Sequence, residues 1–175
     1  MKLKTILDVN VKGKVLLLRV DLNSPIKQGK VVMNPRIVEH GKTVKQLLDK
    51  KARVVILAHQ GRKGSKDFTS LKQHAKLLSK VVGKKVKFVA DVVGKKALNS
   101  IRRLEDGQAL LLDNVRFLDD ETVEKSAREH VGSKLVKALA PLADLYANDA
   151  FSVAHRSHAS IVGFASILPC YAGPL

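Results

Sequence analysis

Four runs of apolar residues punctuate the chain: 15–20 (VLLLRV), 53–58 (RVVILA), 108–112 (QALLL) and 144–147 (DLYA). They are continuous rather than alternating, as expected of strands covered on both faces. A shorter run, 86–89 (VKFV), reads as a fifth strand. Between these runs the apolar period lengthens. In 36–50, Ile37, Val44, Leu47 and Leu48 share one helical face, and Pro35 sits at the first helical position. Ser70 caps a helix that carries Leu71, Ala75, Leu77, Leu78 and Val81 and ends at Gly83. Residues 94–103 form a short helix, and the turn at 105–107 (EDG) leads into the next strand. Residues 124–139 read as one helix stopped by Pro141, and a further short helix lies around 157–163. The tail 168–175 reads as turns. This alternation predicts a three-layer α/β/α, Rossmann-like domain with a mainly parallel sheet and right-handed crossovers. No repeat, low-complexity stretch or internal boundary interrupts it, so residues 1–175 read as a single domain.

Composition adds a core without much aromatic content. Of the 175 residues 45% are hydrophobic but only 4% aromatic, so Val, Leu, Ile and Ala must fill the interior. A domain of this length buries roughly 70% of its unfolded surface. Charge changes the picture more. Lys plus Arg number 32 against 16 Asp plus Glu, a net +16, which favours an anionic partner. Much of the excess is lysine on helix faces and in turns, where it reads as solvated surface. Cys170 is the only cysteine, so neither an internal disulfide nor a cysteine metal cluster is available. The N-terminus lacks a signal-peptide run and no stretch reaches membrane-span length; a cytoplasmic location is the expectation.

The candidate chemistry lies where the apolar runs end. The first passes into Arg19, Asp21 and Asn23, and the second into His59, Gln60, Gly61 and Arg62. The third passes into Asp113, Asn114 and Arg116, and the fourth into Asn148, Asp149, His155, Arg156 and His158. Parallel α/β sheets bind ligands at this end of their strands. Guanidinium groups stay charged and fork onto carboxylate or phosphate oxygens. Arg19, Arg36, Arg62, Arg116 and Arg156 at one sheet edge therefore predict a multiply charged small anion. Asp21 and Asn23 either bond a substrate hydroxyl, hold an arginine or close a turn. His59, His155 and His158 add donors that are cationic only below about pH 6.5 unless perturbed. His155 and His158 have the spacing of a metal pair but no third ligand, and no metal site is expected. The sequence contains no G-x-x-x-x-G-K-[ST], no G-x-G-x-x-G after the first strand and no nucleophile elbow.

Five segments, in order, resemble phosphoglycerate kinases. Residues 19–25 (RVDLNSP) resemble that family's R-V-D-F-N-V-P, and 35–37 (PRI) its R-I helix start. Residues 58–62 (AHQGR) are similar to S-H-L-G-R, 112–117 (LDNVRF) to L-E-N-L-R-F, and 148–158 (NDAFSVAHRSH) to N-D-A-F-G-T-A-H-R-A-H. The likeness runs from about residue 13 to the end. It implies the glycolytic and gluconeogenic transferase that moves a phosphoryl group reversibly between 1,3-bisphosphoglycerate and ADP, giving 3-phosphoglycerate and ATP. It further implies that this chain is the N-terminal, substrate-binding half. Asp21, Leu22 and Asn23 would contact the substrate's polar groups. His59, Gln60, Gly61 and Arg62 would hold its phosphate, and Arg116 and Arg156 would complete that site. Arg36 would be the catalytic cation facing the transferring phosphoryl group. Arg19, His155 and His158 would belong to a surrounding basic patch.

The same resemblance places Mg-ATP or Mg-ADP in a nucleotide-binding half that this chain lacks, with no cofactor in the chain itself and no transfer activity alone. The expected partners are the phosphoglycerate substrates and the nucleotide domain in cis, not nucleic acid or a membrane. The chain departs from the family pattern at Leu22, Ser24, Gln60, Lys63, Ser152 and Val153. Gln60 in place of leucine is expected to matter little, because the backbone there makes the contact. The alternative is a basic nucleic-acid-binding or small-anion-binding domain without kinase activity. The +16 charge favours it, while the scarcity of aromatic stacking platforms does not.

Overall fold

The computed structural model describes residues 5–175. Residues 1–4, which bear on the signal-peptide expectation, lie outside the described residues. In chain order the elements are β1 (Val15–Arg19), β2 (Ile26–Lys27), β3 (Lys30–Val31), α1 (Pro35–Asp49), β4 (Arg53–Leu57), α2 (Lys72–Val82) and β5 (Val86–Val89). There follow α3 (Lys95–Arg102), β6 (Ala109–Leu112), α4 (Ala127–His130), α5 (Lys134–Leu139), β7 (Leu145–Asn148), α6 (Ala159–Val162) and β8 (Cys170–Ala172). Six strands form one sheet in the order β5-β6-β4-β1-β7-β8, every pairing parallel.

The period-2 geometry of a strand divides each apolar run between two cores. Leu16, Leu18, Val54, Ile56 and Leu111 face the layer of α1 and α2, where they meet Ile37, Val44, Leu47, Leu78 and Val82. Leu17, Val55, Leu57, Leu110 and Leu112 face the opposite layer, against Ala97 and Ile101 of α3, Leu135 and Leu139 of α5, and Phe164. Full burial of such a side chain is worth about 1.5–3 kcal/mol. The continuous runs are therefore what a sheet buried on both faces requires.

β1 lies at the centre. The chain leaves it toward β4 on one side and later toward β7 on the other. The strand order reverses there, which opens a crevice at the carboxyl ends of β1, β4 and β7. Register brings Arg19 level with Leu57 on one side and Asn148 on the other.

The strands and first three helices fall within two residues of their expected bounds; three features differ. Residues 26–31 form an antiparallel hairpin in which both turn residues, Gln28 (φ 48°) and Gly29 (φ 73°), have positive φ, as a tight two-residue turn requires. The helix expected over 124–139 is two helices. Ser126 and Glu129 make a capping box at α4, Gly132 interrupts, and Ser133 caps α5 anew. The tail contains β8, an edge strand pairing Tyr146 with Cys170 and Asn148 with Ala172, where turns were expected. Ser70 does accept a bond from Lys72 N (3.3 Å), but the stronger cap of α2 comes from Asp113, whose Oδ1 accepts from Leu71 N at 2.9 Å.

Candidate functional site

Each loop at the crevice is fixed by bonds from a neighbouring loop rather than by its own conformation alone. After β1, Asp21 Oδ1 accepts from Asn23 N at 3.0 Å, closing an Asx turn. Asn23 Oδ1 then accepts from Gly61 N (2.8 Å) and its carbonyl accepts from Arg36 Nη1 (2.9 Å). Arg36 stands in the first turn of α1, which Asn34 caps, and its Nε lies 3.4 Å from Asp21 Oδ2. After β6, buried Asn114 donates to the carbonyls of Gln60 (2.8 Å) and Thr69 (2.9 Å). Arg116 Nη1 reaches the Gly61 carbonyl at 2.7 Å. From the β7 loop, Ser152 donates to Asp21 Oδ2 at 2.5 Å. His40 ties α1 to the same edge: Asp21 N donates to its Nε2 (3.1 Å), so its Nδ1 donates to Asp149 Oδ2 (2.9 Å).

These loops enclose a cavity of about 360 Å³. Asp21, Asn23, Arg36, His59, Gly61, Arg62, Arg116 and Arg156 all line it. Four arginines face two carboxylates, Asp21 and Asp67, so the wall carries a net positive charge. Nε of Arg116 and Nε of Arg156 are buried and bond no protein atom. Burial, with Arg19 and Arg156 nearby, lowers the Arg116 pKa from its ordinary value. Burial and the surrounding Arg19, Arg116 and Arg156 push His59 down to about 2, so its ring is neutral. Burial and the same three arginines bring His158 to about 4. This donor set, guanidinium and neutral N–H, suits phosphate or carboxylate oxygens. It does not suit a hard cation, and no group of three His, Cys, Asp or Glu among the described residues could hold a metal.

Five named residues do not line this cavity, three of which, Arg19, His155 and His158, were expected around the site rather than in it. Leu22 is fully buried in the α1/α2 core, because a side chain between Asp21 and Asn23 turns the other way. Arg19 is buried, bonded to Ser160 and His59. His155 is exposed and does not line the cavity. His158 lines a second cavity, about 600 Å³, that shares Arg62, Arg116 and Arg156 with the first. Gln60 is fully buried, and its side chain does more than expected. Its Oε1 accepts from Ser24 N (2.8 Å), its Nε2 donates to Ser24 O (3.0 Å), and His74 Nε2 lies 3.0 Å from Oε1. Ser24 and Gln60, two of the departures from the family pattern, are thus partners that clamp the β1 loop to the β4 loop. Ser65 and Asp67 line the cavity without having been singled out, and Ser152 and Val153, noted only as departures from the family pattern, line it too. Glu121, fully buried beneath it, was not singled out either.

The fold and this crevice define an α/β domain with a cationic pocket at the carboxyl edge of a parallel sheet. The sequence profile of the family described as "Phosphoglycerate kinase" matches residues 6–175. Phosphoglycerate kinase of Saccharolobus solfataricus is 50% identical over 167 residues, covering 95% of this chain and 41% of that protein. Phosphoglycerate kinase 2 of Methanosarcina acetivorans is 49% identical over 170 residues, covering 97% of this chain and 40% of that protein. The crystal structure of phosphoglycerate kinase from Pyrococcus horikoshii OT3 superposes with a TM-score of 0.92 at 39% identity, over 97% of this chain and 42% of that one. The chain belongs to the phosphoglycerate kinase family. It spans about 40% of the length of the relatives it matches.

Proposed function

We propose that this chain supplies the phosphoglycerate-binding part of a phosphoglycerate kinase, holding 3-phosphoglycerate or its acyl phosphate in the 360 Å³ cavity. The observation that carries the reading is the convergence of Arg36, from the start of α1, and Arg62, Arg116 and Arg156, from three loops, on one pocket sized for a small anion. Arg116 and Arg156, with their unpaired buried Nε–H groups, bind the phosphate together with His59 and Arg62. Asp21 and Asn23 contact the substrate's remaining polar groups, Asp21 as an acceptor. Arg36, in the first turn of α1 and half exposed, faces the phosphoryl group in transit and stabilises its spreading charge.

Phosphoryl transfer asks the protein for positioning and charge neutralisation rather than covalent chemistry. The cavity wall offers both. Mg²⁺ with ADP or ATP, when bound, supplies charge neutralisation at the leaving and attacking oxygens. Its place is the part of the family protein that this chain does not span, and transfer by the chain alone is not expected. The chain acts in the cytoplasm, in glycolysis or gluconeogenesis, with its nucleotide-binding counterpart as partner in cis.

Calorimetric titration with 3-phosphoglycerate tests this. Saturable, salt-sensitive binding that disappears in Arg36→Ala/Arg62→Ala supports it. Robust ATP-dependent kinase activity from the chain alone would overturn its division of labour. One observation favours the polyanion alternative: residues 72–104 carry ten Lys and Arg against the single Asp91, and among the described residues only Lys84 of these ten pairs with a carboxylate within 4 Å. Nucleic-acid binding insensitive to 3-phosphoglycerate would decide for it.

A further inference from the structure

Beneath the cavity wall lies a polar chain that reaches it only at His59 and whose hydrogen-bond directions are fixed. Arg19 is 2% exposed. Its Nη2 bonds His59 Nδ1 at 2.8 Å, its Nε bonds Ser160 Oγ at 2.8 Å, and its Nη1 bonds the Val20 carbonyl. A guanidinium has donors only. Nδ1 of His59 must therefore accept, and the one proton of the neutral ring sits on Nε2. The His59 ring has no other protein partner among the described residues, and His59 lines the cavity.

The chain continues away from the cavity. Ser160 Oγ, accepting from Arg19, has its own proton left to donate, and Glu121 Oε1 lies 2.5 Å away. The backbone N–H of Ser160 reaches Glu121 Oε2 at 2.9 Å, and that of Ala159 reaches the Glu121 carbonyl at 3.0 Å. Glu121 is fully buried. Its carboxyl is pushed up by burial and drawn back by Arg19 and by the two bonds from Ser160. A carboxylate, a hydroxyl, a guanidinium and an imidazole are thus connected in series from the interior to the cavity wall.

We infer that Glu121, Ser160 and Arg19 are positioning residues: Glu121 anchors Arg19 through Ser160, and Arg19 holds His59 as the neutral Nε2–H tautomer that donates to the bound anion. The inference rests on reading the cavity as the anion site. Arg19 does not line the cavity, and its three donor nitrogens go to Ser160, His59 and the Val20 carbonyl rather than to the ligand. Its reach to the ligand is indirect, through one oriented N–H. Were the ring to change tautomer, a lone pair would face an anionic oxygen in place of a donor; were it to flip, a C–H would. Replacing Arg19 by lysine would keep the charge but lose the fork that spans Ser160 and His59 together.

The test is long-range proton–nitrogen NMR of the imidazole nitrogens in the full chain, with titrations of inorganic phosphate and of 3-phosphoglycerate. In the wild-type chain His59 should show a protonated Nε2 and an unprotonated Nδ1, unchanged between about pH 8 and pH 5. Ser160→Ala, Glu121→Gln and Arg19→Lys should each lose that single-tautomer signature and bind both anions roughly tenfold more weakly. Glu121→Asp, which keeps the carboxylate, should recover part of both. Ser160→Ala removes only a hydroxyl, so it carries the test if a charge-altering variant fails to fold. A wild-type His59 protonated on Nδ1, or a Ser160→Ala chain with unaltered tautomer and affinity, would overturn the inference. A fixed Nε2–H tautomer in a chain that binds neither anion would instead overturn the reading of the cavity, while supporting the tautomer assignment.

Discussion

Gly61 is where backbone geometry and site geometry depend on each other most closely, and Gly61→Ala should separate two costs. Gly61 has φ +67°, a conformation that costs a residue with a Cβ about 1–2 kcal/mol. A Cβ there would also lie 2.6 Å from the Asp67 carbonyl carbon and 2.6 Å from Phe68 N. Both are backbone atoms, so no rotamer change relieves the contact; one of the two segments must move. Movement acts on the Gly61 N–H bond to Asn23 and the Arg116 bond to the Gly61 carbonyl. A neutral bond is worth about 1 kcal/mol and one with a charged partner about 1.5–3 kcal/mol. Gly61→Ala should therefore destabilise the fold by about 3–6 kcal/mol. Gly64 supplies the control, since its φ is +87° but nothing lies within 4 Å of a Cβ built there. Gly64→Ala should cost only the conformational part, about 1–2 kcal/mol. Urea unfolding followed by circular dichroism measures both, and titration with 3-phosphoglycerate reads the site. Equal stability losses in the two variants, or wild-type affinity in Gly61→Ala, would refute the argument.

Gln60→Leu, which restores the residue common in the family, should destabilise this chain by roughly 2–3 kcal/mol in the same urea assay, because the buried Ser24 backbone loses both partners. Asp113→Ala should cost roughly 1–3 kcal/mol, since Asp113 accepts from Leu71 N, Asn114 N and Ser70 Oγ at the start of α2. Stability should be full above about pH 6.5 and fall as the pH drops. The unfolded chain takes up protons there that folded His59 (held to about 2) and His74 (held to about 4, chiefly by burial) refuse. Each contributes at most roughly 2 kcal/mol of loss by pH 5, so a flat stability profile between about pH 7 and pH 5 would contradict their burial as neutral rings.

The gathering of arginines could be read from the sequence because every long apolar run ends in a polar cluster, and a parallel sheet brings such ends to one edge. Leu22 shared that motif yet belongs to the core, since neighbouring side chains in an extended segment point opposite ways. Glu121 could not be found. It closes the run 119–121 (DDE), which looks like solvated surface, and only the fold buries it against Arg19 from a distant strand. The break between α4 and α5 had a local signal in Gly132 and Ser133, outweighed by the apolar period around it. β8 is three residues long between Pro169 and Gly173, so its strand character comes from pairing with β7 rather than from composition. The hairpin's one cue was Gly29, because its partner Gln28 is an unusual residue for positive φ.

The claim on which the functional reading stands is that side chains from the start of α1 and from three loops touch one small phosphorylated acid. Arginine Nε–H resonances followed during titration with 3-phosphoglycerate test it most directly. Arg36, Arg62, Arg116 and Arg156 should shift together along one saturating curve that weakens with salt, while Arg102 and Arg103 at the far edge of the sheet stay still. Shifts that fail to saturate, or that appear equally at Arg102 and Arg103, would contradict it.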